Sequence, residues 1–194
     1  MPFGFFKKKK QEEQEPALHY DPTNIRVQDL RIGFVLDYEL KTWEVKEHFV
    51  YDWGDNYFTD TFLLHSGKDQ LFLSVDDEDG ELYLVVSQKL RVSLLTPPIA
   101  ETVRQTGKPP LTLQYEGVEY YREEENYGYF RNVTKNRHED SCEMVEWVYL
   151  DKSGKNTLSI EQYDEEEFEA SKGFYIEEFE ISNILPTGNP TQML

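Results

Sequence analysis

The sequence contains a single cysteine, Cys142, among 194 residues, which excludes a disulfide within the chain. A lack of disulfides is typical of proteins in a reducing compartment, and we expect this protein in the cytoplasm. No segment approaches the run of about 18 apolar residues that a membrane-spanning helix needs. The lone cysteine lies in a strand-like segment, where we expect a small buried side chain.

The sequence also lacks the short motifs that mark common catalytic and nucleotide-binding sites. It has no P-loop, no dinucleotide-binding glycine pattern and no Gly-x-Ser-x-Gly segment. Its four histidines, His19, His48, His65 and His138, fall in no known motif. His138 lies four residues before Cys142, but a zinc site normally requires four ligands in paired spacing. We therefore expect a protein that is not an enzyme and that has no metal or other cofactor.

Basic residues are scarce outside the first ten positions. The chain has 20 Lys and Arg against 38 Asp and Glu, which gives a net charge of −18 at pH 7. Residues 1–10 contain four of the lysines and no acid, so residues 11–194 carry a net charge of −22. A surface this acidic repels nucleic-acid phosphates, and we exclude nucleic acid as a partner. A protein partner with a basic surface, or a cationic ligand, fits the charge.

The first 28 residues form a separate N-terminal segment that begins with an aromatic and basic stretch, MPFGFFKKKK. Phenylalanines that enter a lipid interface beside lysines that meet anionic head groups are a two-part signal for peripheral membrane attachment. A solvated tail is the alternative interpretation of the same residues. On the first interpretation the protein lies at the inner face of the membrane. The expected membrane-contact residues are Phe3, Phe5, Phe6, Lys7, Lys8, Lys9 and Lys10.

Short β-rich segments separated by turns follow from about residue 29. In QLFLSVD, Leu71, Leu73 and Val75 alternate with Phe72 and Ser74, which is the period of a half-buried strand. Such runs recur about every 8–12 residues, a spacing typical of antiparallel hairpins. Residues 96–110, TPPIAETVRQTGKPP, have prolines at both ends and predict a linker that contains one short helix.

The second half of the chain repeats the first. LLHSGKDQLFLSVDDE at residues 63–78 is matched by LDKSGKNTLSIEQYDE at residues 150–165. We predict an all-β, mostly antiparallel fold of two tandem pseudo-symmetric β-units packed together. Each unit has one apolar face, and we expect the two faces to bury each other. The predicted bounds are 1–28 for the N-terminal segment, 29–95 for the first unit, 96–110 for the linker, 111–186 for the second unit and 187–194 for a C-terminal tail.

The repeated phrase also predicts which side chains are buried and which are exposed. We expect Leu71, Leu73, Leu158 and Ile160 to point inward, and the acids at 76–79 and 164–167 to lie at exposed hairpin ends. DDEDGE at residues 76–81 resembles a calcium loop only superficially. An acid is needed at the first position of such a loop, and with glycine at the sixth position that place is taken by a valine.

Several of these segments resemble a bacterial family known as domain of unknown function 4178. They are EWVYLDKSGKNTLSIEQYDEEEFEASKG, FEISNILP and GVEYYRE, together with VLDYELKTWEV and TFLLHSGKDQLFLSVD in the first half. The resemblance covers most of residues 29–186 and implies a bacterial β-rich protein. The family has no established function, so the resemblance implies no catalytic residue. Its aromatic position before the turn is matched by Trp147 and Tyr149, whereas the first copy has Asp60 and Phe62.

Aromatic residues, which make up 14% of the chain, are the remaining functional signal. They cluster in YDWGDNYF at residues 51–58 and in YYREEENYGYF at residues 120–130. Most of these rings we expect in cores or in cross-strand pairs. Ring faces beside carboxylates can also hold a cation. The expected walls of such a site, in a cleft between the two copies, are Trp53, Tyr57, Tyr127 and Tyr129.

The sequence therefore supports one main hypothesis and one alternative. The main hypothesis is a non-enzymatic β-rich binding or scaffold protein in the cytoplasm that contacts an anionic membrane surface through residues 1–10. The alternative is a binding domain that holds a cationic small molecule or a basic peptide in the aromatic cleft.

Overall fold

Antiparallel strands make up most of the computed structural model, which describes residues 20–78, 80–134 and 141–187. The first five strands are β1 Phe34–Tyr38, β2 Lys41–Gly54, β3 Tyr57–Ser66, β4 Asp69–Glu78 and β5 Glu81–Leu90. The remaining strands are β6 Thr112–Tyr115, β7 Val118–Asn132, β8 Cys142–Asp151, β9 Asn156–Asp164, β10 Glu167–Ile176 and β11 Ser182–Pro186. The helix α1 spans Ile99–Thr106, and three 3₁₀ turns span Val27–Asp29, Val92–Leu94 and Glu178–Glu180. The all-β prediction, with one short helix between two β-units, is confirmed.

Eight of the strands close into a barrel. Their order is β2-β3-β4-β5-β10-β9-β8-β7, and β7 pairs back to β2. This closing seam is short, running from the pair Phe49 and Asn132 to the pair Asp52 and Tyr129. β1 and β11 extend the sheet beyond β2, and β6 extends it beyond β7. Closure leaves the barrel strands with no free edge, because each of them pairs on both sides.

The barrel has an internal pseudo-twofold arrangement in which β1–β5 correspond to β6–β10. In each half a tight turn joins the first two strands, with Glu39 at φ 48° and Glu116 at φ 49°. The chain that leaves each half pairs with the first strand of the other half. After β5, Thr96 pairs with Gln114 in β6; after β10, β11 pairs with β1. The two units are thereby interlocked at their ends as well as along the barrel.

The apolar side chains form two separate clusters, one on the outside of each half of the barrel. The first cluster includes Val27, Leu30, Phe34, Leu36, Trp43, Val45, Phe62, Leu64, Leu71, Leu73, Val75, Leu84, Val86, Ile176 and Ile181. The second includes Leu95, Ile99, Leu113, Tyr120, Trp147, Tyr149, Leu158, Ile160 and Ala170. The predicted burial of Leu71, Leu73, Leu158 and Ile160 is confirmed, since none of them is more than 8% exposed.

The prediction that the two apolar faces bury each other is wrong. The first face is covered by the segment that precedes β1 and by β1 itself, and the second by α1, β6 and the start of the linker. Because successive side chains of a strand point to opposite faces, the other faces of both units are turned toward each other. They enclose the interior of the barrel, and those faces carry polar, acidic and aromatic residues.

The linker helix follows its sequence signals closely. α1 begins directly after Pro98 and ends at Thr106, and Gly107 adopts the left-handed conformation at φ 79° that commonly ends a helix. Ile99 is buried and Val103 packs against the same cluster, so the helix closes one side of the second apolar core. None of the helices that the structure describes has the length and apolar character needed to cross a bilayer.

The internal repeat provides a stability prediction at the first turn of each half. Leu40 has φ 60° and is fully exposed, whereas Gly117 occupies the matching position with φ 80°. A left-handed conformation costs a side chain other than glycine about 1–2 kcal/mol. We expect Leu40→Gly to raise the free energy of unfolding by about 1 kcal/mol. Urea denaturation measures this, and a loss of stability in Leu40→Gly, or a gain in the reciprocal variant Gly117→Leu, contradicts the argument.

Candidate functional site in the barrel lumen

The interior of the barrel encloses a cavity of about 930 Å³, which we call the lumen. All eight barrel strands contribute side chains to its wall. The aromatic members are Phe49, Tyr51, Trp53, Tyr57, Phe72, Tyr83, Phe130, Tyr163 and Tyr175. The hydroxyl members are Thr59, Thr61, Ser74, Ser87, Thr157, Ser159 and Ser171. The volume and the mixture of rings with polar groups are typical of a small-molecule site.

A continuous group of rings lies where the barrel closes. Tyr51 stacks on Trp53 at 5.6 Å between centroids and contacts Phe130 at 5.3 Å. Phe130 also meets Phe49 at 5.7 Å and Tyr163 at 5.6 Å. These rings come from β2, β7 and β9, so both units contribute to the group. They give this side of the lumen a rigid aromatic wall.

The lumen is strongly acidic. Its described lining holds seven carboxylates and one lysine. The carboxylates belong to Asp76, Glu78, Glu124, Glu146, Glu161, Glu167 and Glu169, and the lysine is Lys89. A cavity with charge of one sign and low-dielectric walls concentrates ions of the opposite sign. The lumen therefore favours a cation over an anion or a neutral guest.

Lys89 compensates the carboxylates in one half of the lumen. Its ammonium lies 3.1 Å from Glu161 and 2.6 Å from Glu169, and 5.6 Å from the centroid of the Phe72 ring. Glu161 is buried and also accepts hydrogen bonds from Tyr163 at 2.6 Å and from Tyr51 at 3.3 Å. Although burial alone lowers the pKa of Lys89, the two carboxylates raise it above its usual value. The lysine shows how this wall binds an ammonium: two carboxylates and one ring face.

The carboxylates of Asp76, Glu124 and Glu146 have no ion-pair partner among the residues that the structure describes. Asp76 comes from the first unit and the two glutamates from the second. Their partners are neutral: Tyr57 donates a hydrogen bond to Asp76, and Ser159 donates one to Glu146 at 2.5 Å. The negative charge of this part of the lumen is therefore uncompensated.

Burial changes the ionisation of Asp76 and Glu146. It raises the pKa of Glu146 to about 7, and the neighbouring charge of Glu161 adds to the effect. Burial likewise raises the pKa of Asp76, with Glu78 and Glu124 contributing. The pKa of the Tyr57 hydroxyl is also raised by burial and by its bond to Asp76. Bringing a positive charge into this part of the lumen would favour the ionised carboxylates.

The raised pKa of Glu146 predicts a stability effect with a definite sign. Between its ordinary pKa of 4.5 and about 7 the folded protein holds a proton that the unfolded chain has lost. Stability from this group therefore falls as the pH rises through that range, by about 2 kcal/mol once solvation by lumen water is allowed for. We expect Glu146→Gln to stabilise the protein by about that amount at pH 8 and to change little at pH 4.5.

Urea denaturation at both pH values measures the effect of Glu146→Gln. Glu143→Gln is the matched control, because Glu143 is exposed on the same strand and lies on the opposite face from Glu146. It should change stability by less than about 0.5 kcal/mol at either pH. A pH-independent effect of Glu146→Gln, or an equal effect of the control, would show that Glu146 is not a desolvated carboxyl.

The four aromatic residues predicted as walls of one cleft divide between two places. Trp53 and Tyr57 line the lumen. Tyr127 and Tyr129 lie outside it, in a surface groove of about 670 Å³, and are 63% and 46% exposed. Trp53 and Tyr163 line both the lumen and the groove, so these two rings separate them. The predicted cleft between the copies thus corresponds to an enclosed barrel interior with a separate groove beside it.

Two expectations for individual residues are wrong. Asp76 was expected at an exposed hairpin end, but it is half-buried and faces the lumen, because β4 continues to Glu78. Cys142 was expected to be buried, but it is exposed at the first position of β8.

Residues 1–10, which contain the predicted membrane contacts, and His138 lie outside the described residues. Within the described part of the chain, no three Asp, Glu, His or Cys side chains are grouped closely enough to hold a metal ion.

Sequence reasoning missed Lys89, Glu146 and Glu161 as site residues. Each is a charged position on a strand whose other face is apolar, and this pattern is typical of a solvated surface. A signal was nevertheless present, because the same faces of these strands also carry Val85, Val148 and Tyr163. Apolar and aromatic residues on both faces of a strand indicate that both faces are covered.

Comparisons with known proteins give a family but no activity. The sequence model of a family described as "Domain of unknown function (DUF4178)" matches residues 31–178. The chain is also similar to an "Uncharacterized protein" of Aquifex aeolicus (strain VF5), with 28% identity over 179 residues that cover 92% of this chain and 93% of the relative. No solved structure matches the chain.

Proposed function

The chain belongs to the DUF4178 family, and we propose that this member is a non-enzymatic cytoplasmic protein that binds an organic cation in the lumen of its barrel. The observation that carries the proposal is the composition of the lumen wall, with seven carboxylates, nine aromatic rings and a single lysine. Carboxylates supply the charge and ring faces supply the apolar contact that an organic cation needs.

The closed ring of strands around the site favours a small molecule over a basic peptide. The eight strands pair in a complete circle around the lumen, whereas a peptide needs an open groove for its backbone. A cavity of about 930 Å³ lies in the range that drug-sized ligands occupy. Of the residues predicted to bind, Trp53 and Tyr57 belong to this site, and Tyr127 and Tyr129 belong to the neighbouring groove.

A thermal-shift measurement tests the proposal. Spermidine, 1,6-diaminohexane, choline and a lysine-rich peptide are compared at pH 8 with citrate as an anionic control. A ligand that binds only the folded state raises the melting temperature, by about 5 °C at a concentration of about 100 Kd for a chain of this size. We expect a shift with at least one of the small organic cations and none with citrate. The absence of a shift with every cation would falsify the proposal.

We further propose that residues 1–10 bring the protein to an anionic membrane surface, on the support of Phe3, Phe5, Phe6 and the lysines at 7–10. Sedimentation with vesicles containing phosphatidylserine tests this. We expect binding by the full chain and a loss of at least tenfold when residues 1–10 are removed. Equal binding of the two chains contradicts the membrane role and leaves the cation site unaffected.

A further inference from the structure

Asp76 lines the lumen together with Glu124 and Glu146, and one of its carboxylate oxygens is buried without a hydrogen-bond donor among the described residues. One carboxylate oxygen, Oδ2, accepts a hydrogen bond from the Tyr57 hydroxyl. The other, Oδ1, is buried and accepts no hydrogen bond from any described residue. A buried acceptor without a donor costs free energy, which a donor supplied by a ligand would recover.

The side chain of Asp76 lies on the wall of the lumen. Asp76 lies between Thr59 of β3 and Tyr83 of β5 in the sheet register, and all three line the lumen. The negative charge of Glu124, on the opposite unit, reaches Asp76 as well as Glu146. A group that enters here therefore meets carboxylates from both halves of the barrel.

Lys89 provides a precedent for the chemistry. Its ammonium donates to Glu161 and Glu169 on the wall of the same cavity and lies over the Phe72 ring. Charge-assisted hydrogen bonds of this kind are about twice as strong as neutral ones. A quaternary ammonium has no N–H group, so it would satisfy the charge but leave Asp76 Oδ1 without a donor.

We infer that the ligand of the lumen carries a primary or secondary ammonium group, and that Asp76 determines this specificity by accepting a hydrogen bond from one of its N–H groups, with Glu124 and Glu146 sharing the charge. The inference rests on the proposed function and narrows the class of ligand from organic cations in general to those with an N–H group. The lumen then rejects quaternary ammonium compounds of the same length and charge. Asp76 selects for the N–H donor, and the rings accommodate the carbon chain.

Two compounds of matched length and charge test the inference by isothermal titration at pH 8. 1,6-Diaminohexane has N–H donors at both ends, and hexamethonium has the same six-carbon chain between two quaternary ammonium groups. We expect the wild-type protein to bind the diamine at least tenfold more tightly. Equal binding of the two compounds overturns the inference but supports the proposed function. If neither compound binds the wild-type protein, the inference is overturned, and the proposed function is overturned as well only if the other cations of the thermal-shift comparison also fail to bind.

The variant Asp76→Asn tests whether Asp76 is the residue that distinguishes the two compounds. We expect it to lower the affinity for the diamine about tenfold and to bring the ratio of the two affinities close to one. Asp77→Asn is the matched control, because Asp77 is the next residue, is exposed and points to the other face of β4. It should leave the ratio unchanged. An unchanged ratio in Asp76→Asn overturns the role of Asp76, and the wild-type comparison stands even if that variant folds poorly.

Discussion

Replacing Lys89 by methionine is expected to destabilise the protein by about 3–4 kcal/mol at pH 8. Lys89 is paired with Glu161, whose side chain is only 9% exposed, and with Glu169, which is 48% exposed. Methionine fills a similar space but leaves the buried carboxylate of Glu161 without its cation. Removing one partner of a buried ion pair typically costs 3–5 kcal/mol. The 37% exposure of the Lys89 side chain and the tyrosine hydrogen bonds to Glu161 keep the loss in the lower part of that range.

Two further variants isolate the cause. The double variant Lys89→Met with Glu161→Gln should recover most of the stability, because no uncompensated charge remains. Lys172→Met is the matched control: Lys172 pairs with the exposed Glu116 at 2.9 Å and also lies over a ring. It should cost less than about 1 kcal/mol. Urea denaturation measures all three variants, and equal losses for the two single variants would refute the account.

The second large effect is expected at Gly128, next to the seam that closes the barrel. A Cβ atom there would lie 2.5 Å from the backbone oxygen of Asp52 and 2.8 Å from Cε3 of Trp53. Because the first of these is a backbone atom held in the β2–β7 pairing, β7 must move away from β2. We expect Gly128→Ala to cost about 3 kcal/mol, the upper part of the range for overpacking.

Hydrogen exchange identifies the location of that damage. The amides of residues 49–52 and 129–132, which form the seam, should lose protection in Gly128→Ala more than amides of the β3–β4 pair. Gly154→Ala is the control, because Gly154 has φ 70° but no atom within 4 Å of an added Cβ. It should cost about 1 kcal/mol from backbone conformation alone. Stability of Gly128→Ala equal to wild type would mean that the seam is not closed as described.

The sequence predicted the elements well because their signals are local. The Ser-Gly-Lys turn of each half marks a hairpin, and Gly67 and Gly154 both adopt positive φ in the structure. The prolines and Gly107 likewise bounded α1 within a few residues. These features depend on conformations that one or two residues determine by themselves.

The arrangement of the two units could not be predicted from the same signals. Alternation in β4 shows that Leu73 and Ser74 lie on opposite faces, but it does not show which face meets the other unit. That choice depends on segments distant in sequence, such as α1 over the second unit and β11 beside β1. The same limitation explains the wrong prediction for Asp76. The sequence around it is typical of an acidic turn, but its side chain lines the lumen.

Only two of the four predicted binding residues line the lumen, again because the local sequence does not show which face of a strand a side chain lies on. The aromatic clusters identified Trp53 and Tyr57, which line the lumen. Tyr127 and Tyr129 lie in the outer groove, because β7 has a bulge between Arg122 and Glu124 and the inward positions after it are even-numbered. A bulge that shifts register moves every following side chain to the other face, and the sequence of β7 does not mark it clearly.

Filling the lumen tests the central claim most directly, because a packed core and a ligand cavity respond to it in opposite ways. Ser171 is half-buried and lies on the lumen wall between Ser159 and Lys89. The measurement is the melting temperature of Ser171→Phe with and without 1,6-diaminohexane. The account predicts a melting temperature within about 4 °C of wild type without the diamine, because the cavity has room for the ring. It also predicts a smaller rise than that of wild type when the diamine is added, because the ring takes up part of the cavity. A large loss of stability, or a rise equal to that of wild type, would contradict it.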